Sequence, residues 1–180
     1  MKRAKRSERR SVEAPVAVVD AALPRQVGEA LKARGMMLAT AESCTGGGIA
    51  QAVTRVSGSS GWFERGFVTY SNEAKEEMLG VSPETLEQHG AVSEATVQEM
   101  AQGALQYSRA QVALSVSGVA GPTGGTPEKP VGTVWFAWAS NDTMQTACHH
   151  LSGDRDAIRE KSVQISLEGL LKLLRSEQAV

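Results

Sequence analysis

The segment MMLATAESCTGGGIAQAVTRV (36–56) limits this chain's fold more than any other. MMLATA (36–41) is an apolar run too short to be a helix of its own, and it reads as a buried strand. It passes without a spacer into ESCTGGG (42–48), and IAQAVTRV (49–56) then has the pattern of a helix that stops at SGSSG. A buried strand turning straight into a helix is the repeating unit of a layered α/β sheet. The alternation continues. GFVTYS (66–71) reads as a second strand, and NEAKEEMLG (72–80) as a helix with Asn72 placed to cap it. Ser82-Pro83-Glu84 and Ser93-Glu94-Ala95 open two more helices, the second setting Val97, Met100, Ala101, Ala104 and Leu105 on one face. QVALSVSG (111–118) is a third strand. VGTVWFAWAS (131–140) and MQTACHHL (144–151) flank Asn141-Asp142 as an antiparallel hairpin. Helices over 20–34, ending at Gly35, and from Asp154 to about Arg175 enclose the series.

The expected fold is therefore a single three-layer α/β/α domain over residues 21–180, with a mixed, mainly parallel sheet and a late antiparallel hairpin. A length of 180 residues suits one domain. With 19 Lys+Arg against 20 Asp+Glu, the balance argues against a nucleic-acid coat or an acidic buffer. No stretch approaches the roughly 18 apolar residues of a membrane span. The two cysteines, Cys44 and Cys148, make neither a disulfide framework nor a CxxC motif. Residues 1–20 stand apart as a basic tail, where Lys2, Arg3, Lys5, Arg6, Arg9 and Arg10 oppose Glu8. Pro15 and Asp20 interrupt its apolar part, against a secretory signal. A solvated extension and a nucleic-acid-binding arm are the two readings of that tail.

Three places could carry chemistry. In ATAESCTGGG a serine at a strand's carboxyl end stands beside glycines, where free backbone N–H groups suit an oxyanion or a phosphate. Equally, Ser43 or Thr45 could simply cap the helix. In VTYSNEAK, Tyr70 sits near a strand end and Lys75 one turn into the next helix. A desolvated lysine can serve a serine as base, although a packed tyrosine and a surface lysine fit the pattern as well. The loop VAGPTGGTPEKP (119–130) is long and rich in Gly and Pro, hence a binding loop or a lid. Cys44 reads as a small buried residue, His89 as a helix-end cation, and Arg155 as an anion clamp or an ion-pair partner. His149 and His150 point to opposite faces of a strand, so no metal site is expected.

AESCTGG (41–47), GFVTYSNEAK (66–75), GAVSE (90–94), SGVAGPTGGTPEKPVGTV (117–134) and SGDRD (152–156), in this order, resemble the CinA C-terminal-domain family over about residues 24–175. The resemblance implies a cytoplasmic enzyme that deamidates nicotinamide mononucleotide to nicotinic acid mononucleotide and ammonia, with no cofactor. It implies Ser43 as nucleophile, with Tyr70 and Lys75 following 27 and 32 residues later. Glu42, Thr45, Gly46, Gly47, Asn72, Gly121, Gly124, Gly125 and Arg155 are expected around the substrate. The family also implies a homo-oligomer that takes a small-molecule substrate, with nucleic acid relevant only through the tail. The rival expectations are a silent nucleotide-binding module and a competence- or DNA-damage-related interaction protein.

Overall fold

Strand β1 (Leu38–Glu42) is buried along its whole length. A strand in that position needs cover on both faces, and the alternation of side chains decides what each face receives. Leu38 joins a core of large side chains with Val27 and Leu31 of α1 (Ala22–Lys32), Ile49 and Val53 of α2 (Gly48–Thr54), and the leucines of α6 (Arg155–Ser176). Ala39 and Ala41 face the other way, against Leu79 of α3 (Asn72–Leu79), Leu86 of α4 (Pro83–His89), and Met100 and Ala104 of α5 (Glu94–Gln106).

The computed structural model describes residues 21–176, so the basic segment 1–20 and the readings attached to it lie outside the described residues. The five-stranded sheet has the order β2-β1-β3-β4-β5. Strand β2 (Phe63–Val68) and β3 (Val112–Gly118) run parallel to β1 on either side of it. Strand β4 (Thr133–Ser140) is antiparallel to β3, and β5 (Met144–His150) is antiparallel to β4. The α/β/α layering and the late hairpin expected from the sequence are both present. Alanines at 39, 41, 113, 137 and 139 line the α5 side, so that helix lies close to the sheet. The opposite side carries Leu38, Leu114, Phe136 and Trp138 beneath α6.

Two boundaries near Ser43 and Lys75 differ from the expectation. Strand β2 ends at Val68, with Thr69 N–H still donating to Glu42 O at 2.8 Å, so Tyr70 and Ser71 leave the sheet before α3 begins. The cap of α3 is Ser71, whose Oγ accepts from the Ala74 N–H at 3.0 Å, and not Asn72, which is the first helical residue. Ser71 is extended, with ψ 167°, and that geometry aims a short hydroxyl at the third amide of the helix.

Helix α5 crosses the end of α3 at Gly103, where a Cβ would overlap the Leu79 carbonyl. Alanine gains about 1 kcal/mol of helix propensity over glycine. Overpacking against backbone costs more, so Gly103→Ala should lower stability by about 1–3 kcal/mol in urea unfolding. An unchanged or raised midpoint would show that α3 can shift away.

Candidate active site

The site grows from the last residue of β1. The Glu42 side chain has no solvent exposure, yet both of its oxygens are occupied. Oε2 accepts from Thr45 Oγ1 at 2.7 Å and from the Ile49 N–H at 3.0 Å, while Oε1 accepts from the Ala50 N–H at 2.8 Å. A charge-assisted cap of this kind fixes where α2 starts, and so fixes the turn between strand and helix. Glu42 and Thr45 were expected to meet substrate. The structure places both inside, with the Thr45 hydroxyl donated to Glu42.

Between them the chain must reverse within a few residues. Gly46 (φ 59°) and Gly47 (φ 92°) take left-handed conformations that a side chain would strain. Ser43 donates its N–H to Val116 O of β3 at 3.0 Å, and its own carbonyl accepts from Gly46 N–H. The N–H groups of Thr45 and Gly47 have no acceptor among the described residues.

Lys75 comes to this serine from α3. Its side chain is 1% exposed, and Nζ lies 3.1 Å from Ser43 Oγ. Nζ also donates to Thr69 O at 2.8 Å and approaches Ser71 O (3.4 Å) and Tyr70 O (3.5 Å). Because the chain leaves β2 early, these three carbonyls gather around the amine. Burial pulls the Lys75 pKa below its ordinary value, since desolvation disfavours the ammonium. Burial acts oppositely on the neighbouring Cys44 thiol, pushing its pKa up to about 11 and leaving it protonated at neutral pH.

The structure brings Tyr70 to the site by a different atom from the one expected. Its phenol is 62% exposed and is not among the partners of Lys75. Instead the phenol oxygen accepts from Arg155 Nη2 at 3.1 Å, while Arg155 Nη1 donates to Gly121 O at 2.7 Å. Arg155 therefore joins the β2–α3 connection to the glycine-rich loop. That loop is held again at Lys129, whose Nζ donates to His89 O at 2.6 Å. Gly124 and Gly125 are exposed in the loop, and Asn72 is exposed at the start of α3.

Arg159 was not indicated by the sequence motifs. It lies one helical turn after Arg155, and its guanidinium donates to Cys44 O (3.2 Å) and Thr45 O (3.1 Å) at the back of the turn. The four-residue spacing on one helix face was the available signal. Beyond it lies a groove of about 720 Å³ between α1, α2 and α6, which Ser43 does not line. His149 lies edge-on to Phe136, and His150 Nδ1 is 3.3 Å from Thr133 Oγ1, so the two are on opposite faces and away from Ser43.

A three-layer α/β domain with a buried serine–lysine pair at the carboxyl end of its central strands is the class that fold and site define. The chain belongs to the CinA C-terminal domain family, whose model matches residues 20–174. It is 59% identical over 151 residues to the nicotinamide-nucleotide amidohydrolase PncC of Escherichia coli strain K12, covering 82% of this chain and 90% of that protein. The protein of that name from Pseudomonas putida is 51% identical over 151 residues, covering 84% of this chain and 94% of its own. Among solved structures, the competence/damage inducible protein CihA from Agrobacterium tumefaciens matches with a TM-score of 0.83 and 46% identity, over 85% of this chain and 94% of that one.

In Glu42→Gln, one of the two acceptor positions becomes an N–H₂ group facing donors. The isosteric change should cost about 1–3 kcal/mol of stability, measured by urea unfolding. Stability equal to wild type would mean that the turn does not depend on the carboxylate.

Proposed function

We propose that this protein is a cytoplasmic amidohydrolase of pyridine-nucleotide recycling, releasing ammonia from nicotinamide mononucleotide by serine acyl transfer. The observation that carries the reading is the 3.1 Å contact between Ser43 Oγ and a buried, desolvated Lys75 Nζ. The name of the PncC relatives supports the substrate.

A neutral amine has two N–H donors and one lone pair. With its donors directed at Thr69 O and a second carbonyl, the lone pair of Lys75 is left for the Ser43 O–H. Ser43 Oγ then attacks the carboxamide carbon as its proton passes to Lys75. The N–H groups of Cys44, Thr45 and Gly47 are the unassigned donors in the turn beside Ser43, and they are the proposed oxyanion hole. Such a donor contributes about 2.7–4 kcal/mol in comparable sites. The lysine ammonium returns its proton to the departing nitrogen, which leaves as ammonia. Water, deprotonated by the same amine, cleaves the acyl-serine to the acid.

Recognition follows from the rim. Val68, Tyr70 and Val131 are exposed apolar groups, beside Gly47, bonded to Arg155 and beside Gly121 respectively. They suit a flat pyridine ring. Arg155 and the loop at Gly121, Gly124 and Gly125 supply the cation and close backbone approach that a phosphate needs. In this reading Tyr70 acts at the mouth, through Arg155, and Asn72 flanks it. Glu42, Thr45, Gly46 and Gly47 shape the nucleophile turn.

Ammonia release from nicotinamide mononucleotide by the purified protein, with chelator present, tests the reading. Ser43→Ala should lower turnover by at least about a thousandfold, and Cys44→Ser should stay within a few-fold of wild type. Release that survives in Ser43→Ala removes the serine mechanism. Nucleotide binding without release favours a silent binding module.

The pH profile gives a second test. Only neutral Lys75 can accept the proton, so kcat/KM should rise with pH through the lysine's lowered pKa and level off above it. The midpoint should lie below the ordinary 10.5. Lys75→Arg, which stays protonated, should abolish the reaction at every pH. A profile flat from acid to alkaline pH removes Lys75 as base.

A further inference from the structure

Hydroxyl residues stand in a row across the carboxyl ends of the parallel strands. The register Ala41↔Phe67 and Glu42↔Val68 continues to Ser43 and Thr69, and the register Ala41↔Ser115 and Glu42↔Val116 continues to Ser43 and Ser117. The N–H groups of Thr69 and Ser43, bonded to Glu42 O and Val116 O, carry both ladders that far. Ser43 therefore has a hydroxyl residue on either side, each about one strand spacing of 4.7–4.9 Å away.

The two flanking hydroxyls are employed differently. Ser117 Oγ donates to Ala91 O at 2.7 Å, which ties the end of β3 to the residues before α5. Thr69 Oγ1 is buried and has no hydrogen-bond partner among the described residues. Phe67 packs in the core beneath α3 and α5, and Val68 lies beside Gly47, so alternation returns the Thr69 side chain to the face that Lys75 enters. The same residue already holds the amine, since Thr69 O accepts from Lys75 Nζ at 2.8 Å. A buried hydroxyl without a partner lowers stability, and a use during turnover accounts for keeping one beside the nucleophile.

Counting protons gives that use. Neutral Lys75 has two N–H donors and a lone pair, and the ammonium formed when it takes the Ser43 proton has three donors. One of the three faces the departing nitrogen, and one keeps Thr69 O. For the third, Ser71 O and Tyr70 O stand at 3.4 and 3.5 Å. A charge-assisted bond is shorter, about 2.7–2.9 Å. The ionisable side chains of the surrounding elements are neutral or engaged elsewhere. Cys44 is kept protonated by burial, Glu42 is bonded to Thr45 and α2, and the Tyr70 phenol accepts from Arg155. On α5, Glu94 is bonded to Thr146, and Glu99 to Ser82 and Thr85.

We propose that Thr69 is a positioning residue of the reaction, its hydroxyl accepting the third N–H of the Lys75 ammonium that forms as Ser43 attacks. The inference rests on the reading of Lys75 as proton acceptor. A change of the Thr69 χ1 rotamer is the movement it requires. Thr69 then holds the ion by carbonyl and hydroxyl together, while the neutral amine is held by carbonyls alone.

Thr69→Val removes the hydroxyl and keeps both the shape and the carbonyl, whereas Thr69→Ser keeps the hydroxyl. The Lys75 titration is read in the free protein by NMR of isotope-labelled lysine, its signal assigned by loss in Lys75→Met. Without the hydroxyl the ammonium is disfavoured, so the midpoint should fall in Thr69→Val by at least about half a pH unit and return in Thr69→Ser. In ammonia release, Thr69→Val should lower kcat at least about tenfold and leave KM within about twofold, because the buried side chain acts through Lys75 and not on the substrate. Thr69→Ser should recover most of that turnover. The urea midpoint of Thr69→Val should equal or exceed that of wild type, since an unpaired buried hydroxyl has been removed. An unmoved Lys75 midpoint in Thr69→Val overturns the proposal, and so does a Thr69→Ser variant as impaired as Thr69→Val. The titration uses no substrate, so it judges Thr69 separately from the amidase reading, which Ser43→Ala judges.

Discussion

A carboxylate taken fully out of water must be satisfied by the chain around it, or its burial is prohibitive. Glu42 meets that demand with the Thr45 hydroxyl and the first amides of α2, all within eight residues of itself. The arrangement is thus mutual: the helix start needs acceptors, and the carboxylate needs donors. Ser43 lies between the two and inherits their rigidity. Its amide is tied to Val116 of β3, so the turn that carries Ser43 is braced from the strand on one side and from Glu42 on the other. Arg159 adds a third brace from behind, on the carbonyls of Cys44 and Thr45.

Lys75 shows how the same burial has opposite chemical consequences for adjacent groups. Desolvation disfavours whichever form is charged. For the amine, the favoured neutral form is the one that can accept a proton. For the Cys44 thiol, the favoured neutral form is the inert one, and its pKa moves up to about 11. Burial at this turn therefore favours the neutral amine beside Ser43 and the neutral thiol of Cys44.

Much of this was legible in the sequence, and the reasons for the rest are physical. The strand–turn–helix at 36–56 announced itself because a strand covered on both faces carries an unbroken apolar run. The division of that strand into a leucine side and an alanine side was not legible, since both residue types count equally as apolar. The meeting of Ser43 with Lys75 was suggested by type and placement, but the residues alone favoured a surface lysine. The resemblance pointed to the pair, and the 3.1 Å contact is a tertiary fact. Glu42 was expected around the substrate on the family resemblance alone. Its direction depended on α2 offering free amides, which spacing does not encode. Arg159 escaped because no local rule shows that α6 runs back behind a turn more than a hundred residues earlier.

The antiparallel hairpin also reaches the site, through the base of the glycine loop. Val119 donates its N–H to Thr133 O, Gly132 donates to Val119 O, and Leu151 donates to Gly132 O, so the base of the glycine loop is knitted to the end of β5. Four residues after Leu151 the chain presents Arg155, which holds Gly121 and the Tyr70 phenol together. The position of that guanidinium is set from two directions, by the end of β5 before it and by the register of α6 after it. A shift of β5 along β4 would move Leu151 and the loop base together, and Arg155 with them. The hairpin thus works as a strut between an edge of the sheet and the mouth of the site. Because β5 runs in the same direction as β1 and β3, its end lies at their carboxyl edge, and the chain delivers Arg155 there.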